Sequence, residues 1–374
     1  MIFESLHERL DPIKDSAQQI LEVRFKGEKP RVFDGKNLAT FVAGVFDALN
    51  VILREPKVLF FALLQWVAIG IAYIYWTRML DWIPASVWNA IDQAERNGVE
   101  QRLYFTLLDI ALTVWSFVIV AAASYPIAIF SGAIVAARNL RTLEQPVDLW
   151  KCLTIAEYNI GRLWAFSTVD DWITVRTIFA RLPKRHNTHS AMDELLYYAW
   201  KIGTIGVVPA LIAGKGYLGA ARDSVKILEK STVRAIETRL GYSMVCWIVG
   251  VAAYCCSVLY ILNGPYQWLE SIYSFYLALA VPIVIAVGIV AVLVRPFYLM
   301  MIAKLYTDVL TPEVISDEAD PVVVTFASHI YRILFLLMVI SLTAAYFFGD
   351  QLGIRGFVED LARRDLAAMG LITH

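Results

Sequence analysis

The sequence predicts an all-α, polytopic integral membrane protein, a helical bundle with amphipathic helices lying in the membrane plane and a parallel internal repeat. Three observations carry that expectation. Of 374 residues, 58% are hydrophobic and only 18% charged, with a mean hydropathy of +0.57, whereas soluble domains are about 45–50% apolar. Apolar runs at Val58–Trp76, Phe105–Val135, Tyr242–Leu262, Ile272–Ile302 and Ile330–Phe348 reach or exceed the ~20 residues that cross a bilayer. Finally, Arg222, Lys226, Lys230 and Arg234 recur at every fourth position of the segment 220–240. Leu218, Ala221, Val225, Leu228, Thr232 and Ile236 recur beside them at helical steps. Such a helix rests in a membrane interface, its aliphatic stems in the acyl boundary and its cations among phosphates.

Residues 1–38 read as a cytosolic helix, with Ile2, Phe3, Leu6, Leu10, Ile13 and Ile20 on one face and Gly27 to Pro30 ending it. The polar, mixed-charge stretch 1–57 has no secretory pattern, so the first span is expected to direct its own insertion. Residues 39–135 form a first membrane unit: an amphipathic stretch, the span Val58–Trp76, a loop and the long run Phe105–Val135, broken by Pro126. The loop carries Arg78, Arg96 and Arg102 against Asp81, Asp92, Glu95 and Glu100 and is placed outside.

The stretch 136–213 opens with Arg138, Arg141, Lys151 and Arg162 and continues through Arg176, Arg181, Lys184 and Arg185. The positive-inside bias places it, and the N-terminus, in the cytoplasm. Within it, Leu163–Leu182 carries Asp170, Asp171 and Arg176, each costing about 2.5–3.5 kcal/mol at mid-bilayer, and is expected to be interfacial or shielded. Tyr198–Ala213 is short and holds Pro209. If it crossed alone, Lys215, Arg222, Lys226, Lys230, Arg234 and Arg239 would all lie outside. It is therefore re-entrant, or pairs with Leu163–Leu182 as a hairpin.

Residues 214–302 form the second unit: the basic helix, the span Tyr242–Leu262, an outer turn at Asn263-Gly264-Pro265, and the long run Ile272–Ile302 with Pro282 inside. An acidic linker, 303–329, precedes the unit 330–374, a last span followed by a surface helix. Two pairings support duplication. Pro126 to Gly132 matches Pro282 to Gly288, with Arg138 and Arg295 following. Asp47 to Val51 matches Asp223 to Ile227. An even number of crossings per unit makes the repeat parallel, with its axis along the membrane normal.

Ala199-Trp200, Val207-Val208-Pro209, Gly214, Gly219-Ala220-Ala221, Ser224 and Leu228, followed by a span from Gly241, resemble an uncharacterised family of bacterial and archaeal polytopic membrane proteins. That family is similar to the membrane domain of some glycerophosphodiester phosphodiesterases. The resemblance covers about residues 160–300, and Asp170, Asp171 and Arg176 depart from the family's apolar segment there. A weaker similarity, through Gly214-Lys215, Ala220 to Asp223, Leu228 and Arg234, is to choline-transporter-like proteins. Neither implies catalytic residues; together with the charge bias they imply a multi-pass protein of the bacterial inner membrane, N-terminus cytoplasmic.

No nucleophile elbow, phosphate loop or Cys-His context is present. His186 and His189 have helical metal-pair spacing, but Lys184 and Arg185 beside them would repel a cation. Cys152, Cys246, Cys255 and Cys256 read as small apolar residues, and Gly214-Lys215-Gly216 as a turn. No catalytic, cofactor or metal residue is expected. The candidates are instead a lipid-surface stripe, Arg222, Lys226, Lys230 and Arg234; intramembrane polar residues Asp109, Asp170, Asp171, Arg176 and Lys201, with Gln65 and Ser274; and helix kinks at Pro126, Pro209 and Pro282. These point to an accessory, scaffolding or lipid-organising membrane protein, with a small-molecule or lipid transporter as the alternative and a membrane enzyme as the least favoured. The expected partners are membrane lipids, anionic headgroups among them, and other proteins of a membrane complex, not nucleic acid.

Overall fold

The computed structural model describes residues 50, 52–89, 106–181, 191–263, 272–310 and 321–368; among these every regular element is helical. The helix expected in 1–38, nearly all of the amphipathic stretch after it, and the loop carrying His186 and His189 lie outside the described residues. The elements are α1 (Val58–Leu80), α2 (Thr106–Thr142), α3 (Leu149–Tyr158), α4 (Ile160–Arg181), α5 (Ala191–Gly203), α6 (Val207–Ile212) and α7 (Tyr217–Asn263). α8 (Ile272–Ile289) then passes through a π-turn, Val290–Val294, into α9 (Arg295–Val309), and α10 (Pro321–Phe348) and α11 (Ile354–Ala368) follow. Among the described residues five stretches are long and apolar enough to cross a membrane: Val58–Met79, Leu107–Thr142, Tyr217–Ile261, Val281–Val309 and Ser328–Phe348. α4 is not among them.

The axis of the molecule is α2, whose most apolar window is 67% buried against 6% for α7. Its 37 residues extend about 55 Å, well beyond the ~30 Å of a hydrocarbon layer. α1 packs antiparallel to it. Phe61 stacks on Phe130, the Gln65 amide donates to Ile127 O and Ser131 Oγ, and Trp82 meets Trp115 edge-on. Small residues let other helices close in: a Cβ on Gly132 would lie 2.9–3.1 Å from Ile212, Leu163 and Ala156.

Pro126 sits within α2 and cannot donate to the carbonyl one turn back, so it loosens the ladder there. The indole of Trp164 donates to the neighbouring Ala121 carbonyl at 2.7 Å, supplying polar contact where the ladder is weakest. The second long run ends differently. Pro296, at the start of α9, follows the π-turn Val290–Val294, whose wider winding accommodates a residue without an N–H.

The two ends of the bundle are unequal. At the end where α1 begins, the main core gathers Val58, Ile134, Cys152, Ile160, Leu211, Ile227 and Met300 from many elements. The opposite end has a smaller cluster of Met79, Trp82, Leu108, Val358, Ala362 and Leu366. There the first N–H groups of α2 have no partner within the helix. They are capped from the far end of the sequence by Asp365, 5% exposed, whose carboxylate accepts from Leu107 and Leu108 N–H at 2.9–3.2 Å. Gly353, with φ +73°, turns the chain from α10 into α11 so that this docking can occur.

Three expectations are corrected. Pro209 does not kink a helix: it occupies the first turn of α6 after Gly206, where its missing N–H would have been unpaired anyway. The linker is shorter than 303–329, since α9 runs to Val309 and α10 starts at Pro321, a proline suited to a first helical position; 311–320 lie outside the described residues. The basic segment is not a separate helix over 220–240. α7 breaks from helical geometry at Ser231 (φ −148°, ψ 43°), so Arg234 and Arg239 belong to the same arm as Tyr242–Leu262.

If Asp365 holds α11 in place, Asp365→Ala should destabilise the protein by about 1–2 kcal/mol, the usual cost of a lost N-cap. Thermal unfolding in detergent, with proteolysis of the tail helix as the local readout, checks this.

Candidate functional site

α4 runs antiparallel to α2 and carries charge toward the middle of the bundle. Trp164 packs edge-on to Tyr125, and Trp172 meets Phe117. Between these, Ser124, midway along α2, lies 2.8 Å from Asp171 Oδ2. Asp170 and Asp171 are successive helical residues, about 100° apart around the axis, so they address different neighbours. Asp171 meets α2. Asp170 meets α5, which returns beside α4: Lys201 Nζ donates to Asp170 Oδ1 at 2.6 Å and Trp200 Nε1 to the same oxygen at 3.0 Å. Tyr197 lies under the Lys201 ammonium.

α7 and α9 close the cluster. The Arg239 guanidinium, on a residue only 9% exposed, lies over the rings of Tyr242 and Tyr298 at 5.4 and 5.6 Å, and those rings stack on each other at 4.2 Å. A weakly hydrated, planar cation suits an aromatic face in a dry setting. Of the expected intramembrane polar residues, the structure brings together Asp170, Asp171 and Lys201. It does not bring in Asp109, exposed in the first turn of α2 where its charge suits the helix dipole, or Arg176, exposed on α4. Sequence reasoning missed Ser124, Trp200 and the Arg239–Tyr242–Tyr298 stack. The nearest signal was an arginine immediately before a span.

A second locus lies at the Asp365 end. A groove of about 740 Å³ runs between α2, α10 and α11, lined by apolar side chains such as Ile110, Val114, Leu337, Met338, Phe357 and Leu361, and by the hydroxyl residue Ser341. Ile110 and Val114 are each 57% exposed, so the groove opens sideways onto the flank of the bundle.

The third is the basic stripe of α7, which runs from the arm before Ser231 across the break to Arg234. Arg222, Lys226, Lys230 and Arg234 are all exposed. The face that packs is not the one the apolar spacing indicates. Ala220, Asp223, Ser224 and Ile227 are buried, while Leu218, Ala221 and Thr232 are exposed. The reason is polar: buried Asp223 accepts from Tyr306 OH at 2.8 Å and pairs with Lys215 at 2.8 Å. Gly214, with φ +82°, ends α6 in a Schellman-type turn, Lys215 N–H reaching Ala210 O. Arg162 donates to Gly214 O, which pins the turn to α4. Cys152 is buried in the main core, where burial pushes its thiol up to about 11; it is a packing residue.

Among the described residues no group of three or more His, Cys, Asp or Glu side chains is placed to hold a metal. No family model, curated protein or solved structure matches the chain.

Lys201→Met leaves the Asp170 carboxylate inside the bundle without its cation and should cost about 1–3 kcal/mol. The double variant Asp170→Asn/Lys201→Met should cost less than the sum of the single changes, with a coupling of about 0.5–3 kcal/mol. Unfolding of the four proteins of this cycle in detergent measures it.

Proposed function

We propose that the chain is a multi-pass membrane protein that binds and organises lipid, with no enzymatic chemistry of its own. The five long apolar helices support the multi-pass reading. The observation that carries lipid binding is the groove: its walls are apolar, it opens on the flank that hydrocarbon would bathe, and its volume falls in the about 300–1,000 Å³ range of small-molecule sites. An acyl chain matches that lining, in which Ser341 and the Trp115 indole are the polar side chains a soluble substrate would meet. In this reading α11 lies along the membrane boundary, with Arg355, Glu359, Asp360 and Arg364 paired on its exposed side.

The cytoplasmic side is assigned to the end bearing Arg138, Arg141, Arg162 and the basic arm of α7, by the positive-inside bias. There Arg222, Lys226, Lys230 and Arg234 face outward, and an anionic leaflet attracts each by about 1 kcal/mol. The parallel duplication of 39–135 and 214–302 belongs to the same proposal and is supported by the proline-to-glycine register. A transporter is the second reading. It is favoured by one observation, the Asp170–Lys201 pair with Asp171 inside the bundle, since ionisable groups at such depth commonly mark transport paths.

The groove is tested by filling it. Ala111→Phe and Ser341→Phe, purified as full-length protein in mild detergent, should retain less than half the wild type's tightly bound phospholipid by mass spectrometry. Unchanged lipid in variants that unfold at the wild-type temperature rejects the groove as the binding site.

The basic arm is tested separately. Replacing Arg222, Lys226, Lys230 and Arg234 by Gln should remove the protein's preference for anionic over neutral lipid in mixed nanodiscs, a preference that in the wild type weakens as salt is raised.

A further inference from the structure

We propose that Asp171 is a proton-binding site, an aspartic acid that carries its proton inside the bundle and donates it in a hydrogen bond to Ser124. The geometry rests on a count of hydrogens. Ser124 Oγ lies 2.8 Å from Val120 O and 2.8 Å from Asp171 Oδ2, yet a serine hydroxyl has one hydrogen. With Asp171 ionised, that hydrogen serves one of two acceptors. With Asp171 protonated, Asp171 O–H donates to Ser124 Oγ and Ser124 O–H donates to Val120 O, so both short contacts become hydrogen bonds in one chain.

Charge points the same way. The ammonium nearest the two carboxylates, Lys201, is committed to Asp170 at 2.6 Å, and among the described residues no cationic nitrogen lies within 4.0 Å of Asp171. Asp170 and Asp171 with Lys201 carry a net charge of −1 if both acids are ionised and of zero if Asp171 holds a proton. The other charged groups facing the site are Arg295 on α9, which favours the anion, and Arg239, which is occupied with Tyr242 and Tyr298. Burial is the strongest influence and favours the neutral acid, as does Asp170; Arg295, the Ser124 hydroxyl and Lys201 oppose it. Because Asp171 meets α2 through Ser124, away from the Lys201 ammonium that pairs with Asp170, proton binding and the seating of α4 on α2 are linked.

Infrared spectroscopy of the full-length protein in lipid nanodiscs tests this. The wild type at neutral pH should show a protonated carboxylic C=O stretch that shifts in heavy water, is lost in Asp171→Asn, and fades as pH is raised. Absence of the band in the wild type, or its survival in Asp171→Asn, overturns the proposal. Should Asp171→Asn fail to purify, Ser124→Ala carries the assignment, since loss of the hydrogen-bond partner must displace the band. An undisplaced band in Ser124→Ala overturns it.

Discussion

A helix buried along most of its length must have its backbone polar groups satisfied at every weak point, and in this chain α2 is that helix. An unpaired amide or carbonyl in an apolar setting costs several kcal/mol, and polar groups along α2 are the places where three other elements attach. Its first N–H groups are capped by Asp365 of α11. Near the proline-weakened turn, Ala121 O receives the Trp164 indole of α4. Beyond that turn, Gln65 of α1 reaches Ile127 O and Ser131. Three elements distant in sequence are fixed in depth along one axis by three polar contacts, while apolar packing, which is not directional, fills in around them.

The same economy governs charge. Three of the described interior charges are matched across elements: Asp170 by Lys201, Asp223 by Lys215 with Tyr306, and Arg239 by two aromatic faces. Each of these pairings joins two or more elements of the α4–α9 region, so the ion pairs specify which face of each helix turns inward. Hydrophobicity alone leaves that choice open among helices that are apolar nearly all round. This is why the buried face of the basic arm follows Asp223 and Ser224 rather than the apolar stripe.

Much of the fold was legible because membrane-length apolar runs carry a strong signal. The runs beginning at Val58 and Ile272 became helices from those residues onward, and α5 packs beside α4. Charge within apolar stretches had also marked Asp170, Asp171 and Lys201, alongside Asp109 and Arg176. What could not be read was pairing at a distance. Nothing in the local sequence links Asp365 to Leu107, or Ser124 to Asp171, because each bond depends on the antiparallel register of helices far apart in the chain. The groove was equally hidden, since outward-facing and groove-facing residues are both simply apolar. Pro209 misled because a proline inside an apolar run has two readings, a kink or a first turn, and only Gly206 and the turn before it decide between them.

The unequal ends carry the last step of synthesis. Near the start of α1, helices α3, α6 and α9 pack on α2 and the basic arm of α7 joins the same core, giving a packed mass from which cations project. At the Asp365 end few elements cover α2, and the space left beside it is the groove under α11. A protein that only needed to fold would gain by packing both ends alike, because burial of apolar surface contributes about 25 cal/mol per Å² wherever it occurs. Leaving Ile110, Val114 and Leu337 uncovered beside a tail helix held down by a single buried carboxylate forgoes that gain in water. In a bilayer it forgoes nothing, because acyl chains supply the missing contacts, and this is the condition under which the groove, the exposed cations and the paired interior charges form one consistent design.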